Sequence, residues 1–208
     1  MRATVEEAVA ALRAGELAVV PTDTVYGLAG LAYRPEPARR LYALKERPAG
    51  QPTALVAADV DLLLECVPEL RGHAAAAVRA LLPGPYTLVL PNPARRFPWL
   101  TGATPEAIGV RVPAVAGAAA AVLAGAGALV ATSANARGGP EPRRLADVPA
   151  ALAAACGALV DGGELPGTAS TVLDLTGREP RVLRDGAGGA AAAVERLRAA
   201  GARGVRRR

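Results

Sequence analysis

Lysine is almost absent from this chain of 208 residues: of 24 basic residues one is a lysine, Lys45, and the others are arginines. Histidine occurs once, at His73, and cysteine twice, at Cys66 and Cys156. One histidine and two distant cysteines cannot build a four-ligand zinc site without several carboxylates, and a single histidine rules out the two-histidine zinc-hydrolase pattern. The cysteines lie in apolar surroundings and read as buried free thiols of a reducing compartment. Aromatics are 3% of the chain, so a surface that stacks single-stranded bases on rings has little to build from. No charge-free run reaches the ~18 residues of a membrane span; Pro113 and several glycines punctuate the apolar stretch from Val112 to Ala134. Glu6 and Glu7 interrupt what would be the apolar part of a signal peptide. These absences point to a cytoplasmic protein without membrane contact.

What is present is apolar and α/β-patterned. Hydrophobic residues are 51% and charged residues 21%, enough for one large-cored globular domain. The net charge of +5 is concentrated in Arg203, Arg206, Arg207 and Arg208; without them 20 basic residues face 19 acidic ones. Residues 1–200 are therefore expected to form the domain. Residues 201–208 are expected to be a disordered basic tail, a solvated end with weak tRNA contact as the alternative.

Helix and strand signals alternate. Thr4 and Glu7 form a capping-box pattern opening a helix through about Arg13. Strands are predicted at Leu17–Val20, Ala54–Ala57, Tyr86–Leu90, Ile108–Val112, Ala128–Ala131, Leu159–Val160, Thr171–Leu175 and Arg181–Leu183. Helices are predicted at Pro37–Leu44, Asp59–Cys66, Gly72–Leu82, Ala114–Ala124, Leu145–Ala155 and Gly189–Ala199. The alternation predicts a mixed sheet flanked by helices.

The chemistry gathers at strand ends, where open α/β sheets bind ligands. Thr22-Asp23-Thr24-Val25-Tyr26 follows the first strand, Thr132-Ser133-Ala134-Asn135 follows a later one, Ser170-Thr171 opens another, and Asp185-Gly186 follows Arg184. Each alone is compatible with turn chemistry. Lys45 and Arg47 add a point charge and a planar fork one residue apart, suited to gripping a polyphosphate from two sides. A phosphate-binding P-loop is absent, because it needs Gly-Lys-Ser/Thr and the lysine follows Leu44.

In order along the chain, Pro21 to Leu28, Lys45-Glu46-Arg47-Pro48, Pro83 to Leu90, Ile108 to Pro113, Ala131 to Asn135, Ser170 to Asp174 and Leu183 to Gly186 resemble the signature blocks of the YrdC family, the threonylcarbamoyl-AMP synthases. The split signature Lys-x-Arg and Ser-x-Asn stands here as Lys45-x-Arg47 and Ser133-x-Asn135. The resemblance spans about residues 4 to 200. It implies a YrdC-like α/β domain with a twisted mixed sheet and a concave basic ligand cavity. It also implies synthesis of threonylcarbamoyl-AMP and pyrophosphate from L-threonine, bicarbonate and ATP, for modification of adenosine-37 in tRNA. ATP with Mg2+ is then a substrate, no organic cofactor is required, and no dedicated metal-ligand set stands out.

Residue by residue, the resemblance makes Lys45 and Arg47 the triphosphate clamp and the catalytic pair. Gln51, Ser133, Asn135 and Arg184 are implied at the nucleotide. Thr24, Tyr26, Arg111, Ser133 and Ser170 are implied at the threonine. Three departures stand out: Val56 replaces a histidine that some relatives carry, Ala136-Arg137-Gly138 follows Asn135, and the extra C-terminal domain of longer relatives is not expected here. The last resembles the short branch, whose product passes to separate threonylcarbamoyl-transferase partners. Two alternatives are an RNA-binding module without adenylate synthesis and a carbamoyl-transfer domain. The intact pair of motifs argues against the first, and the lack of zinc-finger segments against the second.

Overall fold

The computed structural model describes residues 2–48 and 50–201, and the four tail arginines lie outside them. The first helix, α1 (Val5–Arg13), starts as its sequence dictates: Glu7 N donates to Thr4 Oγ1 at 3.2 Å and Thr4 N to Glu7 Oε2 at 2.8 Å. β1 (Ala18–Pro21) and β2 (Tyr26–Leu31) follow, then α2 (Pro35–Leu44), β3 (Ala54–Val56), α3 (Val60–Cys66) and α4 (His73–Leu81). β4 (Tyr86–Pro91), β5 (Ala107–Arg111), α5 (Gly117–Ala126) and β6 (Leu129–Ser133) come next. After α6 (Ala150–Ala154), β7 (Ala158–Leu159), β8 (Thr171–Asp174) and β9 (Arg181–Arg184), the chain closes with α7 (Ala190–Ala199).

The strands form one twisted nine-stranded sheet in the order β7-β1-β2-β6-β3-β5-β4-β8-β9. It is mixed, as predicted: β3 runs parallel to β5 and β4 to β8, while β2 and β6, β3 and β6, and β4 and β5 are antiparallel. Alternation along the strands sorts the two faces. Val19, Leu28, Val130, Leu55, Val110, Leu88 and Leu173 point to one face. There they meet Leu41 of α2, Leu63 of α3, Val78 and Leu81 of α4, and Leu197 of α7. On the other face α1 and α5 cover one end, through Leu12, Val122 and Leu123 against Val20, Ala29, Leu31 and Leu129. The rest of that second face carries small side chains, and there the candidate site lies.

Four expectations change. β2 is not foreseen by pattern, because Gly27 and Gly30 weaken a strand reading. In the structure all six of its residues are buried. Gly30 is required by close packing: a Cβ there would lie 2.8 Å from Leu17 Cδ2 and from Pro37 Cβ. The helix predicted over 145–155 is divided, a 3-10 turn at Leu145–Asp147 and then α6, with Pro149 capping the second piece. α5 begins at Gly117 instead of Ala114, after the segment following Pro113. Cys66 and Cys156 are free thiols, partly rather than fully buried. No helix among the described residues is long and apolar enough to cross a membrane.

Candidate functional site

The uncovered sheet face is the floor of a cavity of about 370 Å³. Its floor residues share one pleat phase: Gly27 faces the position of Ser133, Ala54 lies between Ala131 and Gly109, Val89 is registered with Gly109, and Val56 with Arg111. Small residues at Gly27, Ala54, Gly109 and Ala131 make the space, and polar groups stand at its edges. A second cavity, about 340 Å³, adjoins it and is lined by Lys45, Arg47, Gln51, Ser133, Asn135 and Arg137, among others. Arg47, Thr132, Ser133 and Glu141 line both and form the junction.

The Lys-x-Arg and Ser-x-Asn motifs meet at this second cavity. Lys45 is the C-cap of α2, where a cation is favoured by the helix dipole. Its Nζ donates to the carbonyl of Asn135 and, at 2.8 Å, to Asn135 Oδ1. Ser133 Oγ donates to the same Oδ1 at 2.7 Å, and Asn135 Nδ2 donates to Gly139 O at 2.8 Å. Two of the three ammonium donors are thus used within the protein, leaving one for a ligand. Lys45 is 6% exposed. Burial holds its ammonium below the usual lysine range and Arg47 adds to this, while the Glu141 carboxylate opposes it. Glu46, between them, adopts the left-handed backbone at φ 48°, which turns Arg47 toward the cavities. Arg47 donates from Nη2 to Pro52 O at 2.7 Å and from Nη1 to Thr132 Oγ1 at 3.1 Å, and its guanidinium lies 5.6 Å from the Tyr42 ring centre. Its buried Nε has no partner among the described residues.

At the far side of the larger cavity, Arg184 on β9 donates from Nε to Ser170 O at 2.8 Å and from Nη2 to Ser170 Oγ at 3.0 Å. Ser170 Oγ is also 2.9 Å from Thr87 Oγ1. Burial lowers the Arg184 guanidinium from its ordinary value, and Glu141 again acts the other way. At the end of β5, Arg111 is committed to the loop after β1. Its Nη2 lies 2.5 Å from Asp23 Oδ1 and 2.6 Å from Thr24 Oγ1. Asp23 Oδ2 also accepts from Ala114 N at 3.0 Å. The buried Arg111 Nε has no partner among the described residues.

The structure thus brings Arg47, Arg111, Ser133, Ser170 and Arg184 to the larger cavity, and Lys45, Arg47, Gln51, Ser133 and Asn135 to the smaller. Thr24 and Tyr26 stand behind the wall, both with no exposed surface. Thr24 holds Arg111. Tyr26 Oη has Asp161 Oδ1 at 3.0 Å and Gly163 O at 2.8 Å as acceptors for its one proton, and accepts from Gly162 N at 2.9 Å. The same loop is also held by Gly167 N, which donates to Thr24 O, and by Leu165 N, which donates to Arg143 O. Thr22 and Arg137, named in the sequence without a site role, and Thr87 and Glu141, not singled out there, also line the cavities. Thr22 and Thr87 carry one usable signal, a position on the same pleat face or strand end as the small residues. Among the described residues no three His, Cys, Asp or Glu side chains come together as a metal site. The donor set does not fit a resident magnesium ion, and Glu141 is the one carboxylate in either lining.

Comparison with known proteins gives these blocks a context. The chain is 34% identical over 176 residues to threonylcarbamoyl-AMP synthase of Pyrococcus abyssi, covering 84% of this chain and 52% of the relative. It is 33% identical over 182 residues to the protein of that name in Xanthomonas campestris, covering 86% of this chain and 96% of the relative. The crystal structure of P. abyssi Sua5 complexed with L-threonine superposes with a TM-score of 0.79 at 33% identity, over 88% of this chain and 54% of that one. The chain therefore spans about half the length of the Pyrococcus relative and nearly all of the Xanthomonas one. The family described as Sua5/YciO/YrdC, "Telomere recombination", matches residues 10–186, and the chain belongs to that family.

Proposed function

We propose that this protein joins L-threonine, bicarbonate and ATP into threonylcarbamoyl-AMP and pyrophosphate. The observation that carries the reading is the link between Lys45 and Asn135, which unites two motifs ninety residues apart at the rim of paired cavities. Lys45 and Arg47 then take the triphosphate, with Ser133, Asn135 and Gln51 on the same side and Arg184 toward the nucleoside. Magnesium arrives with the triphosphate as part of the substrate. Threonine occupies the larger cavity, where Arg111 and Ser170 receive it. Thr24 acts by holding Arg111, and Tyr26 by fixing the loop behind.

The threonine ammonium group loses its proton, and the neutral amine then combines with bicarbonate to give a carbamate and water. A carbamate oxygen attacks the α-phosphorus, the bond to the bridging oxygen breaks, and pyrophosphate leaves. No side-chain nucleophile is needed, which suits a cavity walled by hydroxyls, guanidinium groups and one ammonium. The work of the protein is to position reactants and stabilise charge building on the phosphoryl oxygens. Lys45 and Arg47 supply that charge at fixed places. The product belongs in the cytoplasm, where separate threonylcarbamoyl-transferase proteins would carry it to adenosine-37 of tRNA. Transfer of label from bicarbonate into a nucleotide product, dependent on threonine, tests the reading. Absence of labelled product with all three substrates present overturns it.

A further inference from the structure

The two cavity linings hold several cations, Lys45, Arg47, Arg111, Arg137 and Arg184, against one carboxylate, Glu141. Asp23 does not compensate, because it is already paired with Arg111. Glu141 lies at the junction of the cavities, beside Ser133 and Arg47. Its field reaches Lys45 on one side and Arg184 on the other. Its Oε2 is nevertheless buried without a hydrogen-bond partner among the described residues. An enclosed carboxylate oxygen without a donor is costly to keep. The local backbone fixes it there: Pro142 O accepts from Tyr26 N at 3.0 Å, and Asp147 Oδ2 accepts from Arg143 N and Arg144 N at 3.0 and 2.8 Å.

ATP and bicarbonate carry negative charge, which the cations satisfy, and their own donors, the ribose hydroxyls, the adenine amino group and the bicarbonate hydroxyl, are uncharged. A carboxylate among them calls for a substrate group that is cationic and donates hydrogen bonds. Of the three substrates in the proposed reaction, the amino group of threonine alone has that character. We propose that the Glu141 carboxylate receives the amino group of the amino-acid substrate, holding its nitrogen at the junction where the carbamate must meet the α-phosphate. The assignment rests on the function proposed above and adds a specificity-determining residue to it.

The test is calorimetric titration of wild type, Glu141→Gln and Glu141→Ser with three probes. These are L-threonine, its analogue 2,3-dihydroxybutanoate with a hydroxyl in place of the amino group, and magnesium with a non-hydrolysable ATP analogue. Loss of a charged hydrogen-bond acceptor should weaken threonine binding about 10- to 100-fold. Neither variant should bind the deaminated analogue or the ATP analogue more weakly than wild type does, since both probes are anions and lose a repulsive charge, and retained ATP-analogue binding also reports an intact fold. Equal threonine affinity in wild type and variants overturns the assignment. So does an equal loss for threonine and its analogue, or a loss confined to the magnesium nucleotide, which would give the carboxylate to the metal. If wild type bound no threonine at all, the assignment would fall together with the function it rests on. If wild type bound it and Glu141→Gln bound it equally, the assignment alone would fall.

Discussion

Asp23→Asn should destabilise the protein far more than an average polar substitution. The Asp23 and Arg111 side chains are 9% and 12% exposed, and their charged atoms lie 2.5 Å apart. Removing one charge of such a pair leaves the other buried and uncompensated, which costs about 3–5 kcal/mol. The lower end applies here, because Thr24 Oγ1 at 2.6 Å and Thr22 Oγ1 at 3.3 Å still accept from the same Arg111 nitrogen. A loss of about 3 kcal/mol should lower Tm by about 6–12 °C in a domain of this size. Chemical denaturation gives the free energy and scanning calorimetry the Tm. The double variant Asp23→Asn with Arg111→Met should recover part of the loss, since it removes the stranded cation. An Asp23→Asn protein within about 1 kcal/mol of wild type, with strictly additive effects in the double variant, would refute the argument that this pair braces the site.

Other outcomes follow from the same geometry. Lys45→Ala and Arg47→Ala should each reduce turnover at least ~100-fold with the fold retained, as loss of a preorganised charge-stabilising donor does, and steady-state kinetics beside circular dichroism checks both. Lys45→Arg should also be impaired, because a planar fork cannot reproduce the two contacts the ammonium makes to Asn135. Serine, lacking a methyl group, should be a poor but measurable substrate, weaker by about 1–3 kcal/mol, whereas valine should be worse because it leaves hydroxyl partners unpaired; competition assays rank the three. Burial pushes the Asp174 carboxyl up, but hydrogen bonds from Thr176 and Arg181 outweigh it and hold the group below the usual aspartate range. Its contribution is therefore present above the unfolded value, about 3.9, and lost as pH falls through the lower folded value. Asp174→Asn should lower stability at neutral pH, and the two stability curves should converge in acid.

The elements legible in the sequence are those whose signal is local. The Thr4–Glu7 capping box opens α1 where the sequence places it, and the strands expected at Tyr86–Leu90 and Ile108–Val112 stand within a residue of β4 and β5. β2 was not legible because its stability comes from tertiary packing: Gly27 and Gly30 are poor strand formers alone but fit where neighbours approach closely. The split at Pro149 was a legible stop signal outweighed by alanine-rich helix propensity on either side. Within the site, Lys45 was conspicuous by scarcity, and the pairing of its motif with Ser133 and Asn135 came with the family resemblance. The commitment of Arg111 to Asp23 and the retreat of Thr24 and Tyr26 behind the wall depend on three-dimensional approach, which no spacing rule encodes. Glu141 stayed hidden because a carboxylate after Pro140 reads as an ordinary loop residue. Only its position between two cavities gives it meaning.

The reaction proposed for the paired cavities joins threonine, bicarbonate and ATP into an adenylate. Continuous measurement of pyrophosphate release, with each substrate omitted in turn, decides whether it occurs. Release should require threonine, bicarbonate and ATP together and should collapse in Lys45→Ala. Release that proceeds equally without threonine, or none with all three present, would contradict it.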